Sequence, residues 1–166
     1  MKEIFERRSV RQYEDRPVPP ELTERLLRAA MAAPTARDAR EWAFVAVTDP
    51  VLREKLGRVH LYAGPAGRAP LVIVPVGDLR EKPVDDYWQQ DLAACTQNLL
   101  LEAQHLGLGA VWMGIAPGED RMAAVADILG LPVRVLPFAL IAVGWPAEQR
   151  EPRDNWTPDA VHHDRW

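Results

Sequence analysis

A chain of 166 residues with 48% hydrophobic side chains suits a single packed domain and excludes general disorder. Its net charge of −4 argues against a nucleic-acid binder, which would be basic overall. The single cysteine, Cys95, excludes an intrachain disulfide, and no apolar run approaches the roughly 20 residues that span a bilayer. No apolar leader stretch follows Met1-Lys2-Glu3, so the expectation is a cytoplasmic protein with no membrane partner.

A short amphipathic start (Ile4, Phe5) leads into Arg7-Arg8-Ser9-Val10-Arg11-Gln12-Tyr13. Pro19-Pro20-Glu21 opens a helix through Ala33, with Leu22, Leu26, Leu27 and Ala30 on one face. The run 43–48 is short, apolar and β-branched and reads as a strand. Asp49-Pro50 caps a short helix from Val51 to Gly57. The segment from Arg58 to Ala69 lacks periodicity and reads as a loop. Leu71 to Gly77 is a second strand, which Pro75 prevents from full pairing on both sides.

The longest helix runs from about Tyr87 to Leu106, apolar on more than one face, and is central or lies at a subunit interface. Gly107 ends it in a left-handed conformation. A third strand covers Ala110 to Ile115, a helix Asp120 to Leu129, and a fourth strand Leu136 to Trp145. Beyond Pro146 the chain is polar and irregular. The expected division is a core over 1–146 and an arm over 147–166. Periodicity alone leaves parallel α/β and mixed α+β sheets open.

The arginine run carries the chemistry. A guanidinium keeps its proton at neutral pH and offers a fork of donors that fits phosphate, and Ser9 adds a hydroxyl between the charges. On these residues alone, a solvated basic strip explains the run as well. Other classes fail on context. Gly107-Leu108-Gly109 follows a helix, so it is not a dinucleotide fingerprint, which must end a strand. The histidines (His60, His105, His162, His163) lack metal-ligand spacing, so no metal is expected. Ser9 is the only serine and no Gly-x-Ser-x-Gly occurs, which removes serine-hydrolase chemistry. Cys95, on the apolar helix, reads as a small buried residue. The tryptophans at 42, 88, 112, 145 and 156 read as core or interface residues.

Five features in order resemble the FMN-dependent nitroreductase family. They are the Arg7–Tyr13 motif, Ala33-Pro34-Thr35 with a loop closing on Trp42, and the long helix running into Gly107-Leu108-Gly109. Val143-Gly144-Trp145-Pro146 and the tail His162-His163-Asp164-Arg165-Trp166 complete the set. The resemblance implies an α+β fold, a mixed, mostly antiparallel sheet layered with helices, in an intertwined homodimer. It also implies FMN as cofactor, NADH or NADPH as reductant, and a small electron-poor acceptor (nitroarene, quinone or enone) reduced by a ping-pong mechanism.

Carried over residue by residue, Arg7, Arg8 and Ser9 hold phosphate and Arg11 the ring edge. The Pro34, Thr35, Ala36 and Asp38 loop comes from the partner subunit. Met113 and Gly114 lie near the ring, and Arg153 of the arm, which packs on the partner, reaches phosphate. No catalytic side chain is required, because electron transfer is the cofactor's own chemistry. Three departures stand out: Asp38, Arg40 and Glu41 replace the family's Asn, Gln and Pro. A carboxylate at Asp38 facing the flavin would oppose negative charge there unless Arg37, Arg40 or Arg11 neutralises it. If this loop blocks the substrate face, the alternative is a non-catalytic flavin- or nucleotide-binding module.

Overall fold

The computed structural model describes residues 2–81 and 86–166. Six helices and five strands are described: α1 Glu3–Glu6, α2 Pro20–Met31, β1 Trp42–Val47, α3 Pro50–Leu56, α4 Gly64–Arg68, β2 Leu71–Asp78, α5 Trp88–His105, β3 Gly109–Gly114, α6 Glu119–Leu129, β4 Val135–Pro137 and β5 Ala139–Gly144. Single 3₁₀ turns lie at Ala36–Asp38 and Pro158–Ala160. The sheet runs β1-β2-β5-β3, with β4 paired to the end of β2, and every ladder is antiparallel. The one parallel element is an isolated bridge between Ser9 and Ala110. This is the α+β arrangement of a mixed, mostly antiparallel sheet layered with helices.

The sheet is covered on both faces, which is why β2 reads as a continuous apolar run. Leu71 and Ile73 face a core shared with Leu26, Ala30, Leu92, Leu99 and Ile141. Val72, Val74 and Val76 face a second core with Leu56, Ala66, Val125 and Leu140. Each large aliphatic side chain buried here contributes about 1.5–3 kcal/mol. α5 is the central helix, and burial of Cys95 pushes its thiol up to about 12.

Two expectations require correction. Arg58 to Ala69 is not loop throughout, because Gly64–Arg68 forms α4 with Pro65 and Ala66 buried. The strand expected over Leu136 to Trp145 is broken at Phe138. There the Pro75 carbonyl accepts from the Phe138 N–H at 2.9 Å. β5 covers residues 71–73 of β2 and β4 covers 76–78, so Pro75 faces the gap between them and its missing N–H breaks no ladder bond there. Gly107 does end α5 in the left-handed region, at φ 72°. Its N–H donates to the Gln104 carbonyl and that of Leu108 to Ala103, which closes the helix.

The tryptophans expected at the core or an interface differ in burial. Trp88 is buried edge-on to Phe138, while Trp42, Trp112 and Trp145 are half-buried. Trp156 is exposed on the arm, where residues 151–166 are exposed throughout. Among the described residues, no helix is long and apolar enough to cross a membrane, and no cluster of His, Cys, Asp and Glu is suited to a metal.

Candidate cofactor site

The arginine run is fixed against the free edge of β3. Val10 is buried, and its N–H donates to the Ala110 carbonyl at 3.0 Å. A Cβ on Gly109 would stand 2.6 Å from Val10 Cγ1, so only glycine lets the two segments approach this closely. In extended chain successive side chains point to opposite sides, so burying Val10 turns Ser9 and Arg11 outward. The Tyr13 hydroxyl donates to the Val10 carbonyl at 2.6 Å, holding the far end of the run.

The arm is tied back to the same run. The N–H of Glu14 donates to the Trp145 carbonyl and that of Ala147 to Gln12. Glu148 Oε1 then accepts the backbone N–H groups of Arg11 at 2.6 Å and Gln12 at 3.3 Å. Its Oε2 accepts from Arg150 Nη2 at 2.6 Å. These bonds, that from the Arg11 N–H foremost, hold the Glu148 carboxyl below its usual range. Beyond the clasp, Arg8 Nη1 donates to the Glu151 carbonyl.

The result is a cradle of about 360 Å³ lined by Ile4, Phe5, Arg7, Arg8, Ser9, Arg11, Arg150, Arg153 and Asn155. Five guanidiniums and no carboxylate line it. Partial desolvation, then repulsion from Arg153, Arg150 and Arg7, lowers the affinity of Arg8 for its proton. An anion seated there relieves that repulsion. Arg11 also lines a second cavity of about 530 Å³ along β3, with Val111, Trp112, Met113, Gly114, His60, Tyr62, Arg68 and Arg121. A Cβ placed on Gly114 meets nothing within 4 Å, so the strand end is open to a ligand.

The structure therefore brings Arg7, Arg8, Ser9, Arg11 and Arg153 into one cradle and Met113 and Gly114 into the adjoining cavity. Pro34, Thr35, Ala36 and Asp38 line neither cavity within one chain. Their loop is anchored to α5 by Asp91 Oδ2, which accepts the Ala36 N–H at 2.8 Å. Arg37, Asp38 and Arg40 all take positive φ values, 56°, 54° and 50°. Asp38 is not a bare carboxylate: Oδ1 and Oδ2 accept from Arg40 Nε at 2.8 Å and Nη2 at 2.9 Å. Of the three neutralising partners open in the sequence, Arg40 is the one used, and the pair carries no net charge. Sequence reasoning missed Arg150 as a cradle residue, and with it His60, Arg68 and Arg121.

A family model described as the nitroreductase family matches residues 4–79 and 58–145. A Methanothermobacter thermautotrophicus protein provisionally named NADH dehydrogenase/NAD(P)H nitroreductase is 41% identical over 163 residues, covering 98% of this chain and 85% of that one. The crystal structure of a Parabacteroides distasonis protein with the same provisional name superposes with a TM-score of 0.95 at 38% identity, covering 99% of this chain and 97% of that one. A provisionally named nitroreductase from Desulfovibrio desulfuricans, solved in complex with FMN, superposes with a TM-score of 0.85 at 26% identity, covering 99% and 96%. Matched along nearly its whole length, the chain belongs to the nitroreductase family.

Proposed function

We propose that this chain is an FMN-dependent oxidoreductase that takes electrons from NADH or NADPH and passes them to a small electron-poor acceptor. The observation that carries the reading is the place of Arg11, on the wall shared by a five-arginine cradle and an open cavity along β3. FMN presents the matching shape, a phosphate joined by a flexible chain to a planar ring. The donor set suits a dianionic phosphate, since guanidiniums and a hydroxyl all donate. In this reading Arg7, Arg8, Ser9 and Arg153 hold the phosphate, assisted by Arg150, and Arg11 lies at the ring edge. Met113 and Gly114 would lie beside the ring, where Gly114 presents no side chain.

FMN held there would supply the redox chemistry between the nicotinamide and the acceptor. The protein binds, orients and excludes water. One cavity serves reductant and acceptor in turn, which is the physical basis of a ping-pong sequence. A nitroarene, quinone or enone fits a cavity of this size.

The site is complete in a homodimer. A groove of about 460 Å³ along α5, lined by Ile4, Ala29, Ala32, Asn98 and Leu101 among others, offers a surface to a second copy. The exposed arm and the 34–38 loop reach across to the partner, in an interface on the order of 2,000 Å². A cytoplasmic location, with reduced nicotinamide at hand, completes the reading. Comparing FMN with riboflavin tests the cradle. Apoprotein should bind FMN far more tightly than riboflavin, and Arg7→Ala should remove about 1.5–3 kcal/mol of FMN affinity while leaving riboflavin affinity unchanged. Equal affinity for both flavins in the wild type would overturn the assignment.

A further inference from the structure

The cavity along β3 holds more positive charge than the flavin reading requires. Arg11 is assigned to the ring edge and the phosphate lies in the other cradle, which leaves Arg68 and Arg121 without a role. Both line the cavity, and no carboxylate does. Neither makes a hydrogen bond or ion pair among the described residues. Several surface arginines elsewhere are paired with carboxylates, as Arg25 is with Glu102, Arg28 with Glu24, Arg58 with Glu54 and Arg80 with Asp78.

Their placement is specific. Arg68, the last residue of α4, folds back along its own helix, and Nη1 lies 3.2 Å from where a Cβ on Gly64 would stand. The guanidinium thus packs close against the backbone at Gly64. Arg121 comes from the first turn of α6 and acts electrostatically on His60. His60 adds a third group. Its Nδ1 accepts the Tyr62 N–H at 3.1 Å, which puts the ring proton on Nε2. That buried Nε2 has no partner among the described residues. Burial and the charge of Arg121 both lower the His60 pKa, so it remains a neutral donor at neutral pH.

We propose that Arg68 and Arg121, with His60, clamp an anionic group of the acceptor, so that this site selects electron-poor aromatic compounds bearing a carboxylate or sulfonate. The inference rests on the flavin reading for where the electrons come from, but the clamp itself is a binding property. The same chemistry would also fit the pyrophosphate of the nicotinamide reductant, and the test separates the two.

Equilibrium dialysis of oxidised protein against 4-nitrobenzoate and its uncharged isostere 4-nitrobenzamide reads the clamp directly. The carboxylate should bind about tenfold more tightly, as a charge-assisted contact gives. Arg68→Gln and Arg121→Gln should each shrink that ratio, and the double variant should abolish it. Equal binding of both compounds to the wild type, or a ratio that survives the double substitution, would overturn the proposal. A second arm compares anaerobic bleaching by NADH and by 1-benzyl-1,4-dihydronicotinamide, which has no phosphate. If the substitutions slow only NADH and leave the nitro pair indistinguishable, the anion belongs to the reductant and the proposal fails. A colourless protein that still prefers 4-nitrobenzoate would count against the flavin reading and leave the clamp standing.

Discussion

Glu148 Oε1 accepts the backbone N–H of Arg11 at 2.6 Å, across 137 residues of sequence. The bond joins the arm to the arginine run and sets where Arg150 and Arg153 enter the cradle. Glu148→Ala should therefore weaken FMN binding through the arm rather than through any contact of its own. About 0.5–1.5 kcal/mol of affinity should be lost, the net value of a hydrogen bond. Fluorescence titration of apoprotein with FMN checks this, with riboflavin as the control that should not respond.

The same clasp has a pH signature. The Glu148 carboxyl is held below its usual range chiefly by the Arg11 N–H, so the folded state favours its charged form. Its stabilising effect is present above the ordinary carboxylate range and is lost as pH falls through the lowered folded value. FMN release by mild acid should show this contribution in the wild type and lack it in Glu148→Ala.

Asp91 gives a second prediction. It is buried on α5 and accepts the Ala36 N–H at 2.8 Å, holding a turn in which Arg37, Asp38 and Arg40 all have positive φ. Such residues cost of order 1–3 kcal/mol each and persist where the surroundings impose them. Asp91→Ala removes the acceptor of this half-buried N–H, at a cost of about 0.5–1.5 kcal/mol. Urea unfolding measures the loss, and Asp91→Asn, which keeps an acceptor oxygen, should recover part of it.

Alkaline titration gives a third. Burial raises the Tyr13 phenol above its ordinary value of about 10, and the neutral hydroxyl donates to the Val10 and Ala142 carbonyls. A raised folded value means stability that is complete below about pH 10 and declines as pH rises toward the folded value. Tyr13→Phe should remove that decline. Cys95, with its thiol pushed up to about 12 by burial, should resist iodoacetamide at pH 8 until the chain unfolds.

The sequence made the arginine run and the β3 end legible because each is local. A dense run of guanidiniums has few uses, and a short apolar stretch after a left-handed glycine reads as a strand. The strand break at Phe138 was hidden inside an unbroken apolar run, since what divides β4 from β5 is the approach of Pro75. α4 was hidden because Gly-Pro-Ala-Gly-Arg has low helix propensity, overridden by burial of Pro65 and Ala66. Arg150, Arg68 and Arg121 carry no local signal. Their meaning comes from the turn after Pro146 and the packing of α4 and α6 beside β3, which no periodicity reports. Asp38 had three arginines within reach of a sequence argument, and only the backbone turn at 37–40 shows that Arg40 is its partner.

The visible spectrum of purified protein, titrated anaerobically with NADH or NADPH, shows whether the chain is a nicotinamide-reduced flavoprotein. The expected result is a yellow protein whose flavin, released on denaturation, is FMN. The spectrum should bleach on adding stoichiometric reduced nicotinamide and return when an electron-poor acceptor follows. A protein that takes up no FMN, or one whose bound FMN neither nicotinamide bleaches, would contradict it.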